Sequence, residues 1–230
     1  MVVFPHPLSS DEDGLLAIGG DLSKDRLYLA YRMGIFPWYN QPPILWWYTH
    51  PRTVLRPEHI RISKSMRNIL RRPWSITMDV AFDRVIKSCR NVLRSGQQGT
   101  WITDDIISAY SQLHHEHKAH SIEVWDNDHL IGGLYGIVCG RIFCGESMFA
   151  EKSNASKVAL IWLTRFLVSR GCVLIDCQQD TEHMKKMGSQ LVDKFKYWEI
   201  LKTNMLYDDM KLSTSEFDAW KKHYIDDQLS

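Results

Sequence analysis

The sequence lacks the features that mark exported, membrane-spanning and disulfide-stabilised proteins. Its 230 residues include five cysteines, an odd number with no C-x-x-C pair, which is typical of reduced thiols and not of a disulfide framework. The opening MVVFPHPLSSDEDG has no basic segment followed by an apolar run, and no later run is long enough to cross a membrane. We therefore expect a cytoplasmic protein without membrane association, and a monomer.

An excess of charge of one sign is also missing. Lysine and arginine total 28 against 27 acidic residues, so any binding of nucleic acid would need a local basic patch. The sequence has no H-E-x-x-H motif, and His114 and His117 fall in the last turn of a predicted helix, where imidazoles favour the negative end of the helix dipole. We expect neither a metal nor another cofactor.

Aromatic residues and prolines are abundant near the N-terminus. Residues 14–50 combine a short helix capped by Ser23 with a proline-punctuated aromatic loop, which predicts a small N-terminal subdomain that ends near Pro51. After this boundary, extended and helical patterns alternate. Ser63 and Thr103 are each expected to cap a helix. WSITM (74–78) is predicted to be a strand, and Asp79 is expected to cap the helix that follows it.

The middle of the chain predicts a sheet. Extended runs at 120–125, 129–138 and 141–148, separated by turn residues, indicate an antiparallel meander. An amphipathic helix and a strand at 172–178 follow it. The sequence thus predicts an α+β fold with a mostly antiparallel sheet, in an order compatible with the GNAT-like acyltransferase architecture. We expect an N-terminal domain of residues 1–50, a catalytic domain of residues 51–202 and a tail of residues 203–230.

Two polar residues follow each other closely at the end of the last predicted strand. Asp176 and Gln178 are two positions apart, so they should project from one face of the strand while Ile175 and Cys177 project from the other. The pair could serve structurally, because a strand-end Asp often caps a neighbouring loop. It could also orient a nucleophile, with Asp176 polarising the amide of Gln178, since an amide cannot act as a base.

A single acid, Glu146, interrupts the apolar run RIFCGESMF (141–149). If the strands at 141–148 and 172–178 are neighbours, its carboxylate opens toward the crevice that holds Asp176 and Gln178. The alternative is an exposed acid that forms a surface ion pair with Lys152 or Lys157.

A basic stripe and several loop aromatics could bind nucleic acid. The segment KSMRNILRR places basic residues on one helical face, and no acid occurs between residues 59 and 78, which favours a phosphate partner over a solvated face. Its members are Lys64, Arg67, Arg71 and Arg72. Loop tryptophans such as Trp38 and Trp101 suit stacking on a base, although a hydrophobic cluster between the subdomains explains most of the aromatics equally well.

Together, these segments resemble the bacterial leucyl/phenylalanyl-tRNA-protein transferases. The matching segments are GLLAIGGDLS (14–23), GIFPW (34–38), PILWW (43–47), GTWIT (99–103), AHSIEVW (119–125), GGLYG (132–136), FCGESMF (143–149), NASK (154–157) and LIDCQ (174–178). The resemblance implies a GNAT-like enzyme with a small N-terminal domain. Such an enzyme moves Leu, Phe or Met from aminoacyl-tRNA to proteins that begin with Arg or Lys, and so marks them for degradation.

The resemblance also implies a role for each matching residue. Trp38 and Trp101 correspond to the pair that sandwiches the terminal adenine of the tRNA. The apolar aminoacyl pocket and its surroundings correspond to Tyr110, Leu134 and Phe143. Asp176 and Gln178 correspond to the catalytic pair, Glu146 to an active-site acid, and the basic residues to the tRNA contacts, namely Lys64, Arg67, Arg71 and Arg72.

The chain departs from the family pattern after Gln178. An H-x-x-S-L-G-like segment survives loosely at residues 183–188, whereas an I-P-R-R-like segment is replaced around residues 194–196. Two other functions remain open. A coenzyme A-dependent acetyltransferase has a similar element order, but needs a glycine-rich Q/R-x-x-G-x-G/A loop where this chain reads AEKSNASKV. A nonenzymatic tRNA-binding module would leave Asp176 and Gln178 without a role.

Overall fold

The computed structural model describes residues 3–92 and 100–229, so Gly99, the first residue of the GTWIT segment, lies outside the described residues. In these ranges the strands are β1 (Leu15–Ile18), β2 (Phe36–Pro37), β3 (Leu45–Trp47), β4 (Arg52–Leu55), β5 (Ser75–Met78), β6 (Ala119–Asp126), β7 (His129–Cys139), β8 (Ile142–Ala150), β9 (Leu174–Gln178) and β10 (Gln190–Val192). The helices are α1 (Lys24–Arg32), α2 (Lys64–Ile69), α3 (Phe82–Asn91), α4 (Asp104–His115), α5 (Ala155–Ser169), α6 (Glu182–Met187), α7 (Lys194–Asn204) and α8 (Thr214–Leu229).

The strands form a small sheet and a large one. The small sheet has the order β1-β3-β2, and the large sheet has the order β10-β4-β9-β8-β7-β6-β5. Every neighbouring pair is antiparallel except β8 and β9, which α5 connects as a parallel pair. The predicted α+β class, the mostly antiparallel sheet and the meander of β6, β7 and β8 are therefore confirmed.

Two hydrophobic cores lie on the two faces of the large sheet. Strand β7 shows why, because Tyr135 and Ile137 belong to one core while Leu134 and Val138 belong to the other, as the alternation of side chains along a strand requires. The first core extends through α1, α3 and α4 to the small sheet. The second core lies beneath α5, whose buried residues include Val158 and Phe166.

Two predicted side-chain caps form, at Ser63 and Thr103, and two do not. Ser23 precedes α1, but its side chain makes no capping hydrogen bond. The hydroxyl of Ser63 accepts the N–H of Met66 at the start of α2, and the hydroxyl of Thr103 accepts that of Ile106 at the start of α4. Asp79 does not cap α3, which begins at Phe82. Its carboxylate instead accepts the N–H of Ser121 on β6, so a long-range contact takes the side chain that local spacing had assigned to the helix.

The C-terminal residues cover one side of α5. Trp220 of α8 lies between Phe166 and Trp162 of α5, with ring centroids 5.3 and 6.0 Å apart. Lys221 donates to the carbonyl of Ile76 on the edge strand β5. These contacts join α8 to the second core. None of the helices in the described residues is both long and apolar enough to cross a membrane.

Candidate functional site

A cavity of about 400 Å³ lies where the end of β9 meets β8 and the segment that follows α1. This volume suits a small ligand group. Six residues singled out from the sequence line it: Trp38, Trp101, Leu134, Phe143, Glu146 and Gln178. The fold therefore brings together side chains that are up to 140 positions apart in the sequence.

One part of the cavity is apolar. Leu134 on β7 and Phe143 on β8 are almost completely buried, and the apolar lining around them includes Met148, Leu160, Leu163, Ile175 and Met184. The ring of Phe143 packs over Gly136, where an added Cβ would overlap the carbonyl oxygen of Cys144, so glycine is needed at this close approach of β7 and β8. The two methionines have flexible side chains that can adapt to ligands of different shape.

The two tryptophans reach the cavity from different segments. Trp38 follows β2, and its carbonyl accepts a hydrogen bond of 2.7 Å from the indole N–H of Trp47. Trp101 precedes α4 and is 9% exposed. Aromatic faces of this kind can stack on a nucleotide base, and both side chains line the same cavity.

Glu146 is held by hydroxyl and amide donors. The hydroxyl of Tyr110 donates to its Oε2 across 3.0 Å, the amide of Gln178 donates to its Oε1 across 3.3 Å, and Tyr31 is hydrogen-bonded to Tyr110. Burial raises the pKa of the Glu146 carboxyl to about 7, although the two tyrosine hydroxyls oppose this effect. Tyr110 thus touches the site through Glu146 and does not itself line the cavity.

A surface ion pair does not account for Glu146. Lys152 pairs with Asp126, and Lys157 donates to the side chain of Asn154. The partners of Glu146 are the neutral groups of Tyr110 and Gln178, so a substrate cation could supply the charge that these groups do not.

Gln178 ends β9 in an unusual backbone conformation. Gln178 has a φ of +53°, a left-handed conformation that is uncommon for residues other than glycine, and the pairing of β4 with β9 is irregular at this point. Gln178 lines the cavity, as do Ile175 and Cys177, whereas Asp176 does not. The alternation of side chains holds only while the backbone remains extended, so the same-face arrangement of Asp176 and Gln178 stays a prediction.

Asp176 contacts the main chain of Gln178 and not its amide side chain. Its Oδ1 accepts the N–H of Gln178 across 3.0 Å, and its carboxylate is fully buried. Arg52 of β4 donates to both oxygens, at 2.8 and 2.7 Å, and the hydroxyl of Tyr197 donates to Oδ2 across 2.7 Å. The structure therefore shows no direct contact through which Asp176 would polarise the side-chain amide of Gln178.

Sequence reasoning missed Arg52, Tyr197 and Tyr31. Burial is the largest single influence on Arg52 and disfavours its charge, but its acidic neighbours, Asp176 first among them, together hold the pKa of the guanidinium above its usual value. A basic residue inside the apolar run RTVL was the available signal, because a buried arginine requires a partner. The partner is 124 positions away, so the pattern could not identify it.

The basic stripe lies on the exterior. Helix α2 ends at Ile69, so it is shorter than the stripe, and Arg71 and Arg72 lie in the turn after it. The stripe is exposed at all four positions, which are Lys64, Arg67, Arg71 and Arg72. Arg72 lies over the ring of Trp74 at 5.1 Å. None of the four lines the cavity.

The segment after Gln178 contributes a further polar part of the cavity. Gln179, Thr181 and His183 line it, and the Nε2 of His183 is buried. The loosely matching segment 183–188 therefore reaches the site, whereas residues 194–196, where the second family segment is replaced, do not line the cavity. In the described ranges, no group of three or more His, Cys, Asp or Glu side chains could hold a metal ion.

Comparison with known proteins places the chain in a family. The family model "Leucyl/phenylalanyl-tRNA protein transferase" matches residues 54–202, and the model of the N-terminal domain of that family matches residues 20–50. A solved structure of a conserved protein of unknown function from Staphylococcus epidermidis matches with a TM-score of 0.40 at 9% identity, over 78% of this chain and 68% of that one. Similarity at that level carries no argument about the fold.

Curated relatives carry the same family name over most of their length. The leucyl/phenylalanyl-tRNA--protein transferase of Syntrophobacter fumaroxidans is 48% identical over 89% of this chain and 88% of the relative. That of Flavobacterium johnsoniae is 48% identical over 87% and 95%, and that of Ralstonia pickettii is 50% identical over 80% and 77%. The chain therefore belongs to the leucyl/phenylalanyl-tRNA protein transferase family.

Proposed function

We propose that this protein is an aminoacyltransferase that moves leucine, phenylalanine or methionine from aminoacyl-tRNA to the α-amino group of proteins beginning with Arg or Lys, and so marks them for N-degron degradation. One observation carries the proposal beyond family membership. A single cavity joins an apolar lining to the hydrogen-bonded side chains of Glu146 and Gln178. An apolar side chain and an amine can therefore be held next to each other.

The donor would occupy the apolar part of the cavity. Leu134 and Phe143 offer a lining without charge, which suits the side chains of Leu, Phe and Met. Trp38 and Trp101 would sandwich the terminal adenine, since aromatic faces bind any base without reading its edge. The exposed basic stripe would contact tRNA phosphates outside the cavity, through Lys64, Arg67, Arg71 and Arg72.

The reaction would be aminolysis of an ester. A free α-amine titrates near pH 8, so a fair fraction is neutral in the cell and no strong base is required. The nitrogen would form a bond to the ester carbonyl carbon, the bond from that carbon to the ribose oxygen would break, and the proton lost by the amine would reach the ribose oxygen. Holding the two reactants in this geometry supplies much of the rate.

Gln178 would orient the attacking amine. Its amide nitrogen donates to Glu146, so its carbonyl oxygen is the group that can accept a hydrogen bond from the amine. Glu146 would recognise an ammonium group of the donor or the acceptor. Asp176 would act on Gln178 through the main-chain hydrogen bond at 3.0 Å, which makes it a positioning residue.

The remaining expectations complete the proposal. The domain that holds the cavity would have a GNAT-like fold, because α5 connects the end of an antiparallel meander to a parallel strand. The domain division at residues 50 and 202 stays a prediction, as do the monomeric state and the cytoplasmic location. The reaction as written requires no cofactor.

An assay of label transfer from two alternative donors tests the function. The protein is incubated with an Arg-initiated peptide and either labelled Leu-tRNA or labelled acetyl-coenzyme A. Label from Leu-tRNA should reach the peptide N-terminus, label from acetyl-coenzyme A would indicate an acetyltransferase, and transfer of neither would indicate a binding module. A matched peptide that begins with Glu tests the acceptor preference.

The Gln178→Ala variant tests the role of this residue. Turnover should fall far more than the affinity for an amide-linked leucyl-adenosine, which cannot react. Equal losses in turnover and affinity would reassign Gln178 to donor binding. Gln190→Ala on the edge strand β10 is the control, because Gln190 is exposed and does not line the cavity.

A further inference from the structure

Arg52 connects two walls of the cavity although it does not line it. The side chain is 1% exposed and is fixed at every nitrogen. Nε and Nη2 donate to Asp176, Nη2 also donates to the carbonyl of Gly34 across 2.9 Å, and Nη1 donates to the hydroxyl of Thr49 across 3.2 Å. Its planar fork therefore joins β9 to the turn between α1 and β2.

On the β9 side, the fork fixes the backbone of Gln178. The left-handed conformation of this residue is unfavourable for an L-amino acid with a side chain, so neighbouring groups must hold it in place. The Asp176 carboxylate does so by accepting the N–H of Gln178. Arg52 and Tyr197 occupy the other acceptor positions of that carboxylate, so it cannot rotate away from Gln178.

On the other side, the fork holds the segment that carries Trp38. The Arg52 guanidinium donates a hydrogen bond to the carbonyl of Gly34 and lies over the ring of Phe36, 5.0 Å from its centroid. Gly34 packs closely against Leu201 and Tyr197, where an added Cβ would overlap both side chains. Phe36 and Trp38 both line the cavity, so the same guanidinium sets the position of this wall.

We propose that Arg52 is a positioning residue for aminoacyl transfer, which sets the separation between the wall of Phe36 and Trp38 and the amide of Gln178. This inference rests on the proposed function, in which the first wall holds the donor and Gln178 holds the amine. The ester carbon and the amine nitrogen must approach to about 3 Å, and a displacement of about 1 Å can reduce the rate about 100-fold. Lysine cannot replace Arg52, since an ammonium group has no planar fork.

The Arg52→Lys variant tests the inference, because it keeps the charge beside Asp176 and removes the fork. We measure thermal unfolding, the affinity for amide-linked leucyl-adenosine, and kcat and KM with Leu-tRNA and an Arg-initiated peptide. At a temperature where the variant is fully folded, kcat should fall about 100-fold, and the affinity for the analogue should change much less. A kcat close to that of the wild type would overturn the inference, and so would equal losses in kcat and affinity.

Asp209→Asn is the matched control for a purely structural effect. Asp209 accepts hydrogen bonds from Lys118, Tyr28 and the N–H of Gly140, and it is not a lining residue of the cavity. This variant should lower the unfolding temperature and leave kcat of the folded protein unchanged. A loss of kcat as large as that of Arg52→Lys would assign both effects to general destabilisation and overturn the inference.

A double variant keeps the test decisive if Arg52→Lys does not fold. Arg52→Met with Asp176→Asn removes both buried charges, which proteins often tolerate, and leaves an amide oxygen that can accept the N–H of Gln178. Its kcat should still fall, because the link to Gly34 is lost, and an unchanged kcat would overturn the inference. If instead the wild-type protein transfers no amino acid, the proposed function fails, which is distinct from failure of the role of Arg52.

Discussion

Replacing Glu146 with glutamine should change how the stability of this protein depends on pH. Burial raises the pKa of the Glu146 carboxyl from 4.5 to about 7, despite hydrogen bonds from Tyr31 and Tyr110 that lower it. A carboxyl whose pKa is raised on folding contributes stability that is fully present below the unfolded-state pKa, and that contribution is lost as the pH rises through the folded-state pKa. The relevant window therefore runs from 4.5 to about 7.

The size of the effect follows from the same two values. Each pH unit of pKa difference corresponds to about 1.4 kcal/mol, so the free energy of unfolding should fall by at most about 3 kcal/mol across the window. Glutamine has nearly the same shape as glutamate and cannot ionise. The free energy of unfolding of the variant minus that of the wild type should therefore rise by about 2.5 kcal/mol between about pH 5 and about pH 8.

Urea denaturation followed by tryptophan fluorescence measures this difference. The urea titration of each protein is repeated at several pH values. Neither tRNA nor peptide is added, because a bound ammonium group would favour the charged form of Glu146 and lower its pKa. Other titrating groups cancel in the comparison at each pH. Glu199→Gln, which removes an exposed carboxylate paired with Lys202, controls for the loss of one negative charge. A difference between variant and wild type that stays constant with pH, or falls as pH rises, would refute the reasoning.

The other two predictions concern RNA binding. Changing Arg67 and Arg71 to Gln should weaken tRNA binding and reduce the slope of log affinity against log salt by about 1.5, for two phosphate contacts. Lys211→Gln with Lys222→Gln is the charge-matched control, and an unchanged slope would remove the basic stripe from the interface. Trp101→Leu should weaken binding of amide-linked leucyl-adenosine by about 1–3 kcal/mol in calorimetry. The control Trp198→Leu replaces a tryptophan packed on His6 and should leave this affinity unchanged. Equal affinities of the two variants for the analogue would contradict stacking by Trp101.

Elements with a sustained local pattern could be predicted from the sequence. The meander of β6, β7 and β8 has long alternating runs and turn residues, and Ser63 and Thr103 cap the helices that follow them. Asp79 had an equally good local pattern, but it bonds to β6. Long-range contacts compete with local ones for the same side chain, and the sequence does not rank them.

The site was predictable to the extent that it depends on which strands are neighbours. Glu146 and Gln178 meet because β8 and β9 are adjacent, as the strand assignment suggested. The left-handed backbone of Gln178 was not predictable, because nothing in the local pattern LIDCQ marks a departure from the extended conformation. Arg52 was missed for a related reason, because its partners come from three separate segments of the chain.

The two carboxylates of the site, buried Asp176 and half-buried Glu146, have opposite surroundings and would therefore have different roles. Asp176 forms an ion pair with the guanidinium of Arg52, so its charge is neutralised in the absence of substrate. Glu146 is held by hydroxyl and amide donors, which carry no charge. A cation from the substrate would therefore provide the counter-charge for its carboxylate. An ammonium group bound there would favour the ionised form and lower the raised pKa of Glu146. Binding of a charged amine and ionisation of Glu146 would then be linked, so each would promote the other.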